Sequence, residues 1–355
     1  MELVLRVLKW SALAGVLTAL VLALKGPLDR RYRAKWRYWL WLALAAVLAL
    51  APLPWGELLP ERVQALEPPV VVQVPQTAIV VGDGGLSLAP REELTEDVLP
   101  LEPAADVPAA QFQPDAAGEE ATLLPLDAVL TAIWLTGAAA LLAWRLLGSW
   151  GFARRVRRWS RPAPAEVLAL YDKVRADMGV RRGAPLAVCP AVDSPLAVGL
   201  LRPRLLLPRG EWEEAELAFI LRHELTHLRR RDLWYKALLL LAQALHWFNP
   251  LVWLMVRQAE ADIELTCDDA VVAGRCGGDR RAYGEALLGC LHRQRGPAPL
   301  STHFYGGAAV IKARLRNILG DGRRRGGAGA LTAALVLTAA AGCAVGVSAA
   351  AEEPL

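Results

Sequence analysis

Paired cysteines are the first thing this sequence lacks. Its 355 residues hold five, Cys189, Cys267, Cys276, Cys290 and Cys343, and no two are spaced Cys-x-x-Cys. That spacing suggests neither a disulfide framework nor a zinc ribbon. Histidine is as scarce, with His223, His227, His246, His292 and His303 the full set. There are no internal repeats, which excludes a solenoid or propeller. Acidic residues are nearly absent from several long apolar runs, and those runs raise the hydrophobic share to 54%. Soluble domains average about 45–50% apolar. Thirteen tryptophans against five phenylalanines also suit a protein that meets a lipid–water interface.

Four apolar runs are candidate spans, at residues 3–24, 38–55, 121–144 and 328–351. A bilayer needs about 20 such residues. No small-residue cleavage site follows the first run, so it reads as an anchor and not as a signal peptide. Cys343 follows Ala-Ala-Gly, which departs from a lipoprotein signal, so the fourth run reads as a plain span. Charge orients all four. Residues 25–37, 145–161 and 312–325 are strongly basic, whereas residues 55–122 carry thirteen acids and two arginines. The positive-inside rule places the basic segments in the cytosol and the acidic, Pro-rich segment outside, with both termini outside. Four of the five cysteines then lie in the cytosol, where thiols stay reduced.

The expected fold is therefore a mainly α membrane protein. Residues 1–54 form two spans and their basic loop, 55–122 an external loop and 123–147 the third span. Residues 148–327 form a cytosolic α+β domain, 328–351 the fourth span and 352–355 an external tail. Within the external loop, residues 70–74 and 78–81 could pair as a hairpin. Within the domain, helical periodicity covers residues 164–178, 211–230, 251–272, 282–294 and 309–319. Residues 185–188 read as a strand and 196–208 as a β-hairpin. Residues 237–256 are also charge-free. A crossing there would put Arg323, Arg324 and Arg325 outside, so the run reads as two helices broken at Asn249-Pro250, buried or re-entrant.

The chemistry centres on His223-Glu224-Leu225-Thr226-His227. Positions i and i+4 of a helix share one face, so the two imidazoles can hold one metal ion with Glu224 beside them as a general base. Catalytic zinc takes a third protein ligand. Glu264 is the best candidate, with Asp268 one turn on to accept an N–H from a ligand histidine. Helical phase is read as turning Cys267 away from Glu264, and so out of the ligand set. His292, His303, Tyr283 and Tyr305 are candidates for the donor that steadies the developing oxyanion. The bland readings are a solvated Glu260, a core His246, and arginine clusters that are ordinary membrane flanks with no nucleic-acid role. The edge of the 196–208 hairpin could pair with an extended substrate.

These segments resemble the membrane metallopeptidases that serve bacteria as β-lactam sensor-transducers, the penicillinase and methicillin-resistance regulators. The matching residues are Arg33-Ala-Lys-Trp-Arg37 with Leu40-Trp41, Ser194-Pro195 with Val198-Gly199 and Arg202-Pro203, and Leu221 through Asp232. Trp247-Phe-Asn-Pro-Leu-Val-Trp253 and Glu264-Leu-Thr-Cys-Asp-Asp269 complete the set. The resemblance implies a gluzincin-type domain, Zn2+ held by His223, His227 and Glu264, and Glu224 as general base. It also implies self-cleavage and the triggered loss of a DNA-binding repressor, with the lipid bilayer, the protein substrate and a second copy of the chain as partners. One departure stands out: no Ser-x-x-Lys occurs in the sequence, and the family's external penicillin-binding domain has no counterpart here. Direct β-lactam binding is therefore not expected. The competing functions are a zinc-stabilised signalling adaptor without catalysis, and a protease for membrane-protein quality control or prenylated peptides.

Overall fold

The computed structural model describes residues 2–53, 77–82, 85–90, 126–181, 183–293, 308–320 and 327–329, with residues 331, 332, 334 and 336. Two compact units divide the chain, residues 54–124 and the remainder. In the smaller unit, β1 (Thr77–Gly82) pairs antiparallel with β2 (Gly85–Pro90), from Thr77↔Pro90 to Gly82↔Gly85. The expected partner of residues 78–81 was residues 70–74, so the pairing is corrected. Asp83-Gly84 lies between the two strands, and Asp-Gly favours the tightest hairpins. Residues 70–74 lie outside the described residues.

The larger unit begins with α1 (Glu2–Ala23), the short α2 (Lys25–Arg31) and α3 (Lys35–Leu50). After the smaller unit comes α4 (Leu126–Trp159), then β3 (Arg161–Pro162) and α5 (Ala165–Asp177). Strands β4 (Leu186–Val188), β5 (Leu196–Val198) and β6 (Arg204–Leu207) follow. The remaining helices are α6 (Glu214–Arg230), α7 (Asp232–Leu245), α8 (Pro250–Val271), α9 (Gly277–Arg293) and α10 (Ala308–Leu319).

Strands β3 to β6 form one sheet in the order β3-β4-β6-β5, with β4 and β6 parallel and the other pairs antiparallel. The expected hairpin is present, with Leu196 opposite Leu206 and Val198 opposite Arg204. Gly199 turns it at a φ of +94°, where a Cβ would sit 2.6 Å from the Arg202 carbonyl oxygen. Side chains alternate across a strand, and β6 uses both faces. Leu205 and Leu207 pack with Leu217, Leu221 and Leu225 of α6, while Leu206 packs with Val156 at the end of α4. The sheet thus supports α6 from behind.

Of the expected spans, α1 and α4 are long and apolar enough to cross a membrane. Helix α4 is one continuous helix of 34 residues, about 51 Å at 1.5 Å per residue. It runs through the basic stretch without a break, and Ile133, Leu135, Trp144, Leu146 and Leu147 stand exposed along it. The second run is different. Helix α3 has 16 residues, about 24 Å, and Trp41, Leu44, Ala45 and Leu48 are buried against α7 and α8. The fourth run lies largely outside the described residues.

The fifth apolar run is two helices, as expected. Asn249 caps α8 by accepting the Leu251 N–H at 2.9 Å, with Pro250 in the first turn. Its amide also donates to the Ser11 carbonyl and hydroxyl oxygens of α1 at 2.9 Å. His246 in the break is fully buried, with Nε2 3.1 Å from the Leu48 carbonyl oxygen. Trp247 lies so close to Gly137 of α4 that a Cβ there would fall 2.3 Å from its ring. The break sends α8 back beside α6.

Arg37 is not a solvated membrane flank. It is 2% exposed and donates two hydrogen bonds, at 2.9 and 2.7 Å, to the fully buried carboxylate of Asp262 on α8. Trp41 Nε1 donates to the same carboxylate at 2.9 Å, and Asp29 is a further ion-pair partner of Arg37. Removing one member of such a pair strands a buried charge, at a cost of about 3–5 kcal/mol. Arg37→Met is therefore expected to lower the unfolding midpoint in detergent sharply. Arg37→Met/Asp262→Leu should recover part of the loss, since neither charge then remains.

Candidate metal centre

Helix α6 explains how two histidines come to face each other. Leu217, Leu221 and Leu225 seat it on the sheet, and the adjoining stripe turns His223, Glu224 and His227 inward, 8%, 4% and 7% exposed. The His223 and His227 Nε2 atoms are 3.1 Å apart. Helix α8 closes the cluster. Glu264 Oε2 lies 3.5 Å from His223 Nε2, and Oε1 lies 3.7 Å from His227 Nε2.

Hydrogen bonds behind the rings decide which nitrogens are free. His227 Nδ1 is 2.7 Å from Asp232 Oδ2, so that nitrogen carries the proton and donates. His223 Nδ1 is 2.8 Å from the Tyr283 hydroxyl oxygen, and Tyr283 donates its one proton to Asp268 Oδ1 at 2.6 Å. The Tyr283 oxygen must therefore accept from His223 Nδ1–H. Both Nε2 atoms are left with lone pairs turned toward each other and toward a carboxylate. Such a set repels itself unless a metal ion or a proton lies among the three groups. Glu224 Oε2 adds a second sign of a ligand, since it is buried without a hydrogen-bond partner among the described residues. Nitrogen and oxygen donors in this number fit a divalent transition metal.

The electrostatics agree. Burial disfavours a charged His223, but Cys267 and Glu264 outweigh it and push the imidazole up to about 10. His227 is likewise held well above its ordinary value, against the pull of burial, by Cys267, Glu264 and Asp232. Burial raises Glu264, yet His227 and His223 hold it well below the usual carboxylate range. The pocket attracts positive charge, which a metal ion supplies in place of protons.

A model of the BlaR1 peptidase M56 family matches residues 5–318. The chain belongs to this family. It is 27% identical over 172 residues to the regulatory protein BlaR1 of Bacillus licheniformis, 48% of this chain and 29% of that protein. It is 28% identical over 132 residues to the methicillin resistance mecR1 proteins of Staphylococcus aureus and Staphylococcus epidermidis, 36% of this chain and 23% of theirs. These alignments span under a third of each relative's length. The family match runs from α1 to α10, so the M56 unit includes the apolar N-terminal helices as well as the metal cluster.

Within this M56 chain, several expected residues stand elsewhere than expected. Cys267 is not turned away. Its Sγ lies 3.5 Å from His223 Nδ1 and 3.4 Å from the His223 carbonyl oxygen, and its sulfur and the two imidazoles form a close cluster. The error lay in the phase, because residues three apart on a helix are neighbours. Cys267 reaches the protonated side of His223, so Glu264 remains the group facing the two free nitrogens. Asp268 is 3.5 Å from His223 Nδ1 and reaches it chiefly through Tyr283. Its carboxylate is filled by Arg314, which donates twice at 2.7 Å. Tyr283, expected as an oxyanion donor, is 2% exposed with its hydroxyl engaged on both sides. His292 lies on α9. His303 and Tyr305 lie outside the described residues.

Two functional contacts were not read from the sequence. Asp232 follows α6 directly and turns back to His227 because Arg231 adopts a left-handed φ of 59°, ending α6 and starting α7. An acid five residues past the second histidine was the available signal. Arg314, fully buried on α10, also lies 3.3 Å from Glu264, and its neighbours had suggested only a membrane flank. Groups that bond a ligand histidine are worth about 10–100-fold in metal affinity. Asp232→Asn is expected to weaken divalent-metal binding by that factor in chelator competition, and His227→Ala to abolish it.

Proposed function

We propose that this chain is an integral-membrane zinc endopeptidase with a cytosol-facing active site, acting in regulatory signalling. The observation that carries it is the pair of opposed Nε2 atoms closed by Glu264, beside the buried Glu224 Oε2, which has no hydrogen-bond partner among the described residues. His223, His227 and Glu264 would hold the zinc ion. When bound, zinc supplies Lewis acidity, polarising a peptide carbonyl and making water more acidic.

The rest of the chemistry belongs to the chain. Asp232 and Tyr283 keep the two imidazoles in the tautomer that leaves Nε2 free. Glu224 takes a proton from the attacking water through its free oxygen and passes it to the leaving amine nitrogen. Lys236, 3.9 Å from Glu264, and Arg314 at 3.3 Å keep the Glu264 carboxylate ionised. The oxyanion donor is assigned to none of the described residues, since Tyr283 is engaged.

The membrane placement rests on the four apolar runs 3–24, 38–55, 121–144 and 328–351, of which α1 and α4 are long and apolar enough to cross, and on the charge bias. Residues 25–37, between the first two runs, and the two basic segments that flank the domain then share the cytosolic side. The substrate is proposed to be the chain itself, a DNA-binding repressor, or both, following the regulatory and resistance names of its relatives. Glu224→Gln is expected to retain the metal while proteolysis falls on the order of 10²–10⁴-fold. The measurement is metal content together with the new protein N-termini released in wild-type and variant cells. Equal cleavage by both would overturn the peptidase mechanism.

A further inference from the structure

The mechanism uses α6 and α8 but leaves open why α3 is packed against α7 and α8 beside the site. Helix α3 meets the metal cluster through Tyr38. This residue is 8% exposed, and its hydroxyl donates to Asp232 Oδ1 at 3.1 Å. The other oxygen of that carboxylate takes the His227 Nδ1 proton at 2.7 Å. One carboxylate therefore has one oxygen on a ligand histidine and the other on the apolar N-terminal helix.

The surroundings fix Tyr38 closely. Tyr235 of α7 donates to its carbonyl oxygen at 2.7 Å and packs edge-on to its ring at 4.8 Å. Arg230 lies over that ring at 4.5 Å, and its Nε is 3.4 Å from Asp232 Oδ1. The adjacent Arg37 locks α3 to Asp262, two residues before Glu264 on α8. Helix α3 is thus held to α8 beside Glu264 and sits one carboxylate away from His227.

We propose that Tyr38 is a positioning residue that orients His227 through Asp232, so that the metal site depends on where α3 lies. The proposal rests on the zinc-site reading above. A hydrogen bond of 3.1 Å is lost within about 1 Å of movement, because it weakens steeply beyond normal range. A slip or rotation of α3 would release one oxygen of Asp232 and loosen the His227 ring.

Tyr38→Phe in the full-length chain tests this, because it removes the hydroxyl and keeps the ring under Arg230. Zinc is expected to pass to a competing chelator about 3- to 10-fold faster, less than the 10–100-fold of a group bonded directly to a ligand histidine. The visible absorption of the cobalt-substituted protein should shift, with far-UV circular dichroism unchanged. Tyr171→Phe on α5, which removes a buried hydroxyl bonded to the Ala184 carbonyl oxygen, should change neither. Tyr38→Phe/Asp232→Asn should go no further than Asp232→Asn alone, since both act through one contact. Wild-type zinc release and cobalt spectrum in Tyr38→Phe, with both altered in Asp232→Asn, would overturn the role of Tyr38. If His227→Ala and Asp232→Asn also bind zinc as wild type does, the zinc site itself is wrong and the inference falls with it.

Discussion

Two imidazole nitrogens with lone pairs turned on each other repel, and a carboxylate facing both adds to the repulsion. Here the two Nε2 atoms stand 3.1 Å apart with Glu264 opposite. Arg314 and Lys236 offset the charge of Glu264 from outside, and the groups behind the rings maintain the arrangement. Asp232 accepts a hydrogen bond from the Nδ1–H of one ring, while Tyr283, engaged by Asp268, accepts that of the other. A divalent cation turns these repulsions into ligation. Much of the domain follows from holding them in place: the sheet behind α6, the break at Asn249 that returns α8, and the buried charges at its margins.

Those buried charges come in pairs that join distant segments. Arg37 reaches Asp262 across 225 positions, and Arg314 reaches Asp268 across 46. An exposed pair would contribute little. A buried pair adds modest net stability but penalises any arrangement that separates it. The two arginines therefore specify more than they stabilise. They tie α3, from the N-terminal part of the family unit, and α10, at its C-terminal end, onto the one helix that carries Glu264. Family membership across residues 5–318 agrees with a unit that includes both ends.

Local pattern was readable in the sequence. Helical pattern placed α5, α6, α8, α9 and α10 to within about five residues, and the two apolar segments flanking Leu201-Arg-Pro gave the β5–β6 hairpin. The Asn249-Pro250 pair marked the break between α7 and α8, since Pro cannot continue a helix and Asn caps the next. What failed was of two kinds. Cys267 was misjudged on helical geometry alone, because a three-residue step was counted as opposite when it is adjacent. Arg37 and Arg314 were read as charge bias, since nothing in a basic stretch distinguishes the arginine that finds a buried acid from those that face water or lipid headgroups.

By itself the sequence determined that His223, Glu224 and His227 share a helix face, that an acid-bearing helix follows, and that basic and acidic segments alternate along apolar runs. Each of these is a matter of spacing within one element or composition within one segment. Only the tertiary structure decided which acid stands behind which histidine. Asp232 reaches His227 because a left-handed Arg231 folds α7 back, and Asp268 reaches His223 through Tyr283 of α9. It also decided that α3 is packed against α7 and α8 beside the site. The reason is physical: helical period governs neighbours three or four residues apart, whereas these contacts depend on how whole helices are turned and stacked.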